Sequence, residues 1–265
     1  MDIIKEIEPF EKDFIKAGEL ALELRQKMTS RNKYNTGDSE IDVVTSADLE
    51  IQEFILTCLA KTNLVNCELI AEEDTPSENA FAKSSKYVLT LDPIDGTKLY
   101  AHGKKMFSVV VTIHDKKNPI YSFCYYPAVK WGIKIAKDKI KYIGTKPKIS
   151  TISKIPPKSI IYFERSHKLG PEKTDPKVYQ KLIKEGYSFI KSDDVSDEAA
   201  VKAPFLLGVV AGEFIENGAA VDSLTELHFA MASKLKIYRN LDLSKPASSP
   251  RGNYYCYRGY YFITR

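Results

Sequence analysis

Apolar residues near the start of the chain recur every three or four positions, the spacing of a helix with one buried face. One such stretch covers residues 10–28, with Pro9 in its first turn, and a second covers residues 47–61. The segment 31–45 between them is largely polar, with a Gly-Asp turn followed by the Ile-Asp-Val-Val-Thr run at 41–45. The pattern predicts two helices separated by a hairpin.

Short apolar runs follow, and they have the length and composition of strands. Two of these runs, 68–71 and 87–91, end directly in acidic residues. Four more lie close enough together to form an antiparallel sheet, at residues 107–113, 119–125, 132–136 and 141–144. The first half of the chain is therefore predicted to pack helices on one large sheet.

The alternation changes after residues 145–158, a connection rich in Pro, Lys, Ser and Thr. Strands and helices then take turns, as in layered α/β proteins. The predicted strands are 159–163, 188–190, 213–215, 236–238 and an aromatic-rich 253–263, and the predicted helices are 176–185 capped by Asp175, 198–210 and 222–234. We expect a single unit over residues 1–265, with halves of about 1–150 and 151–265.

Composition narrows the class of protein. Charged residues make up 28% of the chain and hydrophobic residues 43%, with a net charge of +4, which favours a folded globular protein over a disordered one. The four cysteines show neither zinc-finger nor disulfide-framework spacing. Without a visible leader, an apolar membrane span or an RNA-recognition motif, we expect a cytoplasmic protein that binds neither membranes nor nucleic-acid polymers.

The strongest chemical signal is residues 92–97, which read Asp-Pro-Ile-Asp-Gly-Thr directly after a predicted strand. Two carboxylates lie three positions apart on a turn stiffened by Pro93, so both can face one point. Hard cations such as Mg²⁺ prefer oxygen ligands, and two aspartates with the carbonyl of Ile94 supply them. A Pro/Gly turn with solvated aspartates is the alternative interpretation of these six residues alone.

Other polar residues lie where they can complete such a site. Gly96 and Thr97 open a short predicted helix, whose free amides suit a phosphate. Glu72 and Glu73 follow the preceding strand and can add a ligand. Asp48 lies at the start of the second predicted helix, where N-capping is the simpler explanation.

Together, the spacing of Asp48, Glu72, the 92–97 motif and a late Asp222 resembles the inositol monophosphatase family of lithium-sensitive, Mg²⁺-dependent phosphatases over nearly the whole chain. The resemblance implies an α/β fold, the αβαβα sandwich of the inositol monophosphatase and fructose-1,6-bisphosphatase type. It also implies a phosphomonoesterase with two or three Mg²⁺ ions acting on a small phosphorylated substrate.

The resemblance also implies roles for individual residues. The implied metal ligands are Glu72, Asp92, the carbonyl of Ile94, Asp95 and Asp222. The implied catalytic residues are Asp48 and Thr97, which would orient the attacking water. The amides of Gly96 and Thr97 would bind the phosphate.

The chain departs from the family around Asp222. Where the family has Trp-Asp followed by small residues, this chain has Val-Asp-Ser-Leu-Thr at 221–225, with no later Gly-Gly pair. The bulk of Leu224 and Thr225 predicts that the helix start cannot approach a phosphate as closely. Helix N-capping is the competing interpretation of Asp222.

Substrate preference depends on two local features. Lys98 and the Arg-Ser-His sequence at 165–167 resemble the 3'(2'),5'-bisphosphate nucleotidase branch, which implies that Ser166 and His167 bind substrate. The Gly-Ser element with a lysine that this branch carries is replaced here by residues 195–202. We expect the protein to hydrolyse the 3'-phosphate of a bisphosphate nucleotide. The alternatives are hydrolysis of inositol monophosphate or of a sugar phosphate, or a protein that has lost turnover. We expect a monomer or a homodimer.

Overall fold

The computed structural model describes residues 2–29, 39–163, 169–199, 202–248 and 255–265. Its α-helices are α1 (Ile3–Ile7), α2 (Glu11–Thr29), α3 (Ser39–Leu59), α4 (Thr97–Ala101), α5 (Pro171–Thr174), α6 (Pro176–Lys184), α7 (Lys202–Leu206) and α8 (Thr225–Ala232). Its strands are β1 (Glu68–Ala71), β2 (Val88–Asp95), β3 (Ser108–His114), β4 (Pro119–Tyr126), β5 (Trp131–Ala136), β6 (Lys139–Ile143), β7 (Ser159–Tyr162), β8 (Ser188–Lys191), β9 (Gly212–Glu216), β10 (Lys236–Ser248) and β11 (Tyr255–Thr264). Short 3-10 turns connect several of these elements.

The strands form two sheets. Strands β1 to β6 follow one another in chain order in the first sheet, where only β1 and β2 are parallel. The second sheet has the order β10-β11-β9-β7-β8, with β7 parallel to both of its neighbours. Parallel neighbours place their carboxyl ends at the same sheet edge, which is where ligand sites form in α/β proteins.

Three apolar clusters fill the spaces between layers. Phe14 and Ile51 of the first helices pack with Val111 on one face of the first sheet. Val110 points to the opposite face, as the two-residue period of a strand requires, and joins residues of α7, α8 and the second sheet. A third cluster packs Leu182 of α6 on the outer face of the second sheet. The layers therefore run helix, sheet, helix, sheet, helix, which confirms the predicted αβαβα sandwich.

The predicted hairpin at 41–45 is wrong, because these residues belong to α3, which begins at Ser39. The β-branched run there is only five residues long, and apolar positions 44, 47, 51 and 55 fit the spacing of one helical stripe. The helix predicted at 198–210 is shorter, since α7 begins at Lys202 and ends at Leu206, and Gly208 follows it with a left-handed φ of 68°. Asp175 caps α6 as predicted, accepting a hydrogen bond from the Val178 amide at 3.0 Å.

The predicted strand at 236–238 continues to Ser248 as β10, pairing with the final strand β11. A helix with the length and apolar content needed to span a bilayer is absent from the described part of the chain.

A buried histidine on α8 fastens the central helix layer to the first sheet. His228 is 1% exposed, and its Nε2 lies 2.6 Å from the carbonyl of Lys137, which can only accept. Nε2 therefore carries the proton, and Nδ1 accepts a hydrogen bond from Ser122 Oγ at 2.9 Å. Both ring nitrogens are used by the neutral form, and burial lowers the pKa of His228 to about 4.

This pKa makes the fold sensitive to acid. The unfolded chain protonates His228 near pH 6.5, and the folded chain only near pH 4, so its stabilising contribution is complete above pH 6.5 and is lost between 6.5 and 4. The loss amounts to about 3 kcal/mol for a shift of this size. His114, whose pKa burial also lowers to about 4, acts in the same direction.

We expect His228→Gln to be less stable than the wild type at pH 7 and to approach it as the pH falls towards 4. The measurement is the free energy of unfolding in urea at several pH values, with the exposed His102→Gln as the matched control. Parallel curves for wild type and His228→Gln would rule out a neutral, buried His228.

Candidate metal centre

The parallel pairing of β1 and β2 brings two acidic residues side by side. Ala71 pairs with Leu91, and the amide of Glu72 donates to the Leu91 carbonyl at 3.2 Å. Glu72 and Asp92 therefore leave the same edge of the sheet on neighbouring strands. Asp92 is 3% exposed, so its carboxylate is removed from bulk solvent.

A β-bulge turns Asp95 towards the same point. The motif was predicted to follow its strand as a turn, but β2 continues through it to Asp95. Asp92 pairs with Val110 and Asp95 with Ser108, so β2 contains one extra residue there. Pro93 cannot donate to a ladder, and the Ile94 amide donates to Asp92 Oδ1 at 2.9 Å, which fixes the bulge.

Asp222 reaches these two aspartates from the other half of the chain. It lies in the turn between β9 and α8, and one carboxylate oxygen from each of Asp92, Asp95 and Asp222 lies within 4.8 Å of the others. The N-cap of α8 is Leu224, which makes no side-chain capping bond, so the N-capping interpretation of Asp222 is wrong. The bulky residues 224 and 225 are accommodated by burial in the layer between the sheets.

Asp48 faces the site from the interior of α3 rather than from its start, so the N-cap interpretation of Asp48 is also wrong. It is 2% exposed, and its Oδ1 has no hydrogen-bond partner among the described residues. Gln52, one turn further along, accepts from the Glu73 amide at 3.0 Å and donates to the Glu73 carbonyl and to Thr75 Oγ1. This glutamine, which the sequence analysis missed, ties the Glu72 segment to the helix that carries Asp48.

Thr97 begins α4 just beyond the bulge, and its Oγ1 donates to the Ile94 carbonyl at 3.2 Å. Gly96 precedes it with a φ of 85°, a left-handed conformation that strains other residues. Two hydrogen bonds connect α4 and the residues after it to α2. The Tyr100 hydroxyl donates to the Ala21 carbonyl at 2.9 Å, and the Arg25 guanidinium donates to the Lys104 carbonyl at 2.7 Å.

Burial and mutual repulsion raise the pKa of these acids. Burial, then the negative charges of Glu72 and Glu73, raises the pKa of Asp48 to about 9. Burial, then Asp222, Glu73 and Asp95, raises the pKa of Glu72 to about 7, although a hydrogen bond with Asp92 opposes the change. The pKa of Asp92 is well above its ordinary value for the same two reasons. Such an arrangement favours the binding of positive charge.

The residues present fit a divalent cation. All the donors are hard oxygens, and besides Asp48 Oδ1, the Glu72 Oε2 atom is buried without a hydrogen-bond partner among the described residues. Unpaired buried oxygens are costly unless something positive contacts them. These oxygens supply a ligand set for Mg²⁺.

Three further ionisable residues interact electrostatically with Asp95 and Asp222, and the sequence analysis assigned them no role. Lys202, at the start of α7, is 4% exposed and its Nζ lies 3.1 Å from Asp95 Oδ2. Glu213 on β9 and Glu226 on α8 are 0% and 3% exposed. The available signal in the sequence was a charged residue inside an apolar segment. That the three residues lie near one another becomes visible only in the folded chain.

The predicted substrate residues Ser166 and His167 lie outside the described residues.

Known proteins share this sequence pattern and fold. Residues 6–194 match the sequence profile of the Inositol monophosphatase family. Inositol monophosphatase 3 of Solanum lycopersicum is 25% identical over 56% of this chain and 56% of its own length. The 3'(2'),5'-bisphosphate nucleotidase CysQ of Salmonella typhimurium is 28% identical over 47% of this chain and 50% of its own. The chain thus spans about half the length of these curated relatives.

Solved structures extend the similarity over almost the whole fold. CysQ from Bacteroides thetaiotaomicron superposes with a TM-score of 0.62 at 17% identity, covering 94% of this chain and 93% of that one. Inositol monophosphatase-II from Staphylococcus aureus superposes with a TM-score of 0.59 at 16% identity, covering 97% and 90%. At such low identity these matches concern the fold alone.

The crowding of carboxylates predicts that metal binding stabilises the protein. Mg²⁺ should raise the melting temperature of the wild type, since it binds the folded state. Asp92→Asn removes one of the repelling charges, so the metal-free variant should melt about 2–4 °C higher, the shift that about 1 kcal/mol produces at this size. It should also gain little from Mg²⁺. Thermal unfolding with EDTA or Mg²⁺ measures both effects.

Asp74→Asn removes an exposed carboxylate nearby and is the matched control, which should respond to Mg²⁺ like the wild type. A gain from Mg²⁺ as large in Asp92→Asn as in the wild type would exclude Asp92 as a ligand.

Proposed function

The chain belongs to the inositol monophosphatase family, and from this membership we propose that it is a Mg²⁺-dependent phosphomonoesterase. Members of the family are metal-dependent phosphatases that hydrolyse phosphomonoesters. The observation that carries the proposal is the convergence of Asp92, Asp95 and Asp222, whose carboxylate oxygens lie within 4.8 Å of one another.

The proposed metal ligands are the carboxylates of Glu72, Asp92, Asp95 and Asp222 and the carbonyl of Ile94. When bound there, two or three Mg²⁺ ions supply a nucleophilic water and stabilise negative charge on the attacking and leaving oxygens of the phosphate ester. The protein's own contribution is to hold the ligands in place before substrate arrives, through the bulge at Pro93 and the bonds of Gln52.

Asp48 and Thr97 are proposed to orient the attacking water. The hydroxyl of Thr97 donates to the Ile94 carbonyl, so its oxygen lone pairs are available to accept a hydrogen bond from the water. Asp48 Oδ1 lacks a hydrogen-bond partner within the described residues and can accept the second proton of the same water. Two acceptors fix the direction in which the water's nucleophilic lone pair points.

The amides of Gly96 and Thr97 are proposed to bind the non-bridging phosphate oxygens, because they lie at the start of α4 next to the bulge. The proposed groups belong to the end of β1, to β2, α3 and α4, and to the turn before α8.

The proposed substrate is the 3'-phosphate of a 3'(2'),5'-bisphosphate nucleotide. The CysQ relative and the CysQ structure support this choice. Lys98, exposed on α4 beside Thr97, is proposed to contact a second phosphate, and Ser166 and His167 remain predicted contacts. Inositol monophosphate is the second candidate, since relatives named inositol monophosphatase match segments of similar length.

Asp222→Asn tests the proposed reaction at its most divergent position. The variant should stay folded and lose at least about a hundredfold in kcat with saturating Mg²⁺, because a neutral amide holds a catalytic cation poorly. Phosphate release is measured for 3'-phosphoadenosine 5'-phosphate, inositol 1-phosphate and fructose 1,6-bisphosphate, with Asp74→Asn as control. A wild type that binds Mg²⁺ yet hydrolyses none of the three would favour the loss-of-turnover alternative.

Substrate preference has its own test. We expect kcat/KM for 3'-phosphoadenosine 5'-phosphate to exceed that for inositol 1-phosphate at least about tenfold, a difference that one charge-assisted contact can supply. Lys98→Ala and His167→Ala should each narrow the gap by slowing the nucleotide alone, while His102→Ala serves as a surface control. Equal or reversed preference in the wild type would point to the inositol branch.

A further inference from the structure

A buried ammonium group contacts the proposed metal ligand Asp95. Lys202 Nζ lies 3.1 Å from Asp95 Oδ2, and the Ser108 hydroxyl donates to the same oxygen at 2.8 Å. The side chains of the ion pair are 5% and 12% exposed, so water screens their attraction weakly. This contact joins α7 of the second half to the bulge of the first.

The ion pair with Lys202 and the hydrogen bond from Ser108 fall on the same oxygen of the Asp95 carboxylate, Oδ2. These two contacts restrict the rotation of the carboxylate and would leave Oδ1 to contact a cation. A carboxylate without these contacts could rotate or bind a cation through both oxygens.

The ammonium also adds a permanent positive charge to the site. Burial alone would lower the pKa of Lys202, but the charges of Asp95, Glu226 and Asp222 outweigh it and raise this pKa well above the ordinary value. The ion pair with Asp95 at 3.1 Å favours the same charged form of Lys202. In a poorly screened interior, a positive charge in contact with a metal ligand would repel a divalent cation held by that ligand, by an amount equal to at least about tenfold in affinity.

Glu213 and Glu226 explain why a lysine is tolerated here. Both are buried, and in the described part of the chain both oxygens of Glu213 and the Oε2 of Glu226 have no hydrogen-bond partner. Lys202 lowers the electrostatic cost of ionising either acid. The lysine therefore balances carboxylates on both sides, those of the proposed metal site and those behind it.

We propose that Lys202 is a resident cation of the metal site, which positions Asp95 through Oδ2 and weakens the binding of divalent cations. The proposal rests on the proposed metal-dependent function, and Lys202 acts through Asp95 as a positioning residue. A purely structural ion pair would affect only the stability of the fold, whereas this role predicts opposite effects on stability and on cation affinity. Removing the lysine charge should weaken the fold and tighten cation binding at the same time.

The experiment measures Mn²⁺ binding to the metal-free full chain by calorimetry, without substrate. Lys202→Met should bind Mn²⁺ at least about tenfold more tightly than the wild type, while its melting temperature falls. Lys202→Arg keeps the charge and should stay within about threefold of the wild type. At saturating Mg²⁺, Lys202→Met should lose at least about tenfold in kcat, because Asp95 is no longer oriented.

A second pair of variants keeps the test informative if Lys202→Met does not fold. Glu226→Gln combined with Lys202→Met replaces one ionisable side chain of each type in the buried cluster, and it is compared with Glu226→Gln alone. The double variant should again bind Mn²⁺ more tightly than its single-variant reference. Unchanged or weaker binding in the folded Lys202→Met, or in the double variant if Lys202→Met does not fold, would overturn the proposal.

The same measurements separate this proposal from the proposed function. A wild type that binds Mn²⁺ and releases phosphate, with no tightening in the lysine variants, overturns only the role of Lys202. A wild type that neither binds Mn²⁺ at millimolar concentration nor hydrolyses any phosphate ester overturns both.

Discussion

Repulsion among buried and half-buried carboxylates is the constraint on which the other features of this molecule depend. Oxygens of Asp92, Asp95 and Asp222 lie within 4.8 Å of one another, with Glu72 and Asp48 close by, and the burial of Asp48 and Asp92 removes water that would screen their charges. Left uncompensated, such a group destabilises the fold, as the raised pKa values of Asp48 and Glu72 record. A bound cation relieves this repulsion. The free energy that the repulsion costs the metal-free fold is therefore recovered on binding and contributes to the affinity of the site for positive charge.

The layered fold holds these charges together because it brings several helices, strands and turns to one point. The parallel pair β1 and β2 aligns Glu72 with Asp92, and the bulge at Pro93 turns Asp95 inward. The turn before α8 brings Asp222 across from the second half, and α8 itself is anchored by His228 to Ser122 and Lys137 of the first. Apolar packing between the sheets opposes the electrostatic repulsion at their junction.

Local patterns in the sequence were enough for the layers and for the central motif. The helical stripe from Phe14, the closely spaced strands and the six residues 92–97 each depend on near neighbours, so their periodicity and spacing carry the information. The position of Asp48 within α3 was missed because the β-branched residues at 41–45 are typical of a strand, although they belong to the helix. The departure at Leu224 and Thr225 did not prevent Asp222 from joining the cluster.

The contacts between the halves could not be predicted in the same way. Lys202 meets Asp95 across 107 positions of the chain (202 − 95), and His228 meets Ser122 across 106, so neither pair has a local signature. Gln52 looks like an ordinary polar residue on a helix until its bonds to the Glu73 backbone are seen. Long-range polar contacts of this kind are set by packing, which sequence spacing does not encode.

The most direct measurement is an anomalous-difference electron-density map from crystals of the full chain soaked in Mn²⁺, which reports the positions of bound cations. We expect at least one peak that contacts carboxylate oxygens of all three residues Asp92, Asp95 and Asp222. We also expect Asp95 Oδ2 to remain in contact with Lys202 Nζ. A map with well-ordered aspartates and no peak among them, or with peaks only at the surface, would contradict the claim that these carboxylates form a metal centre.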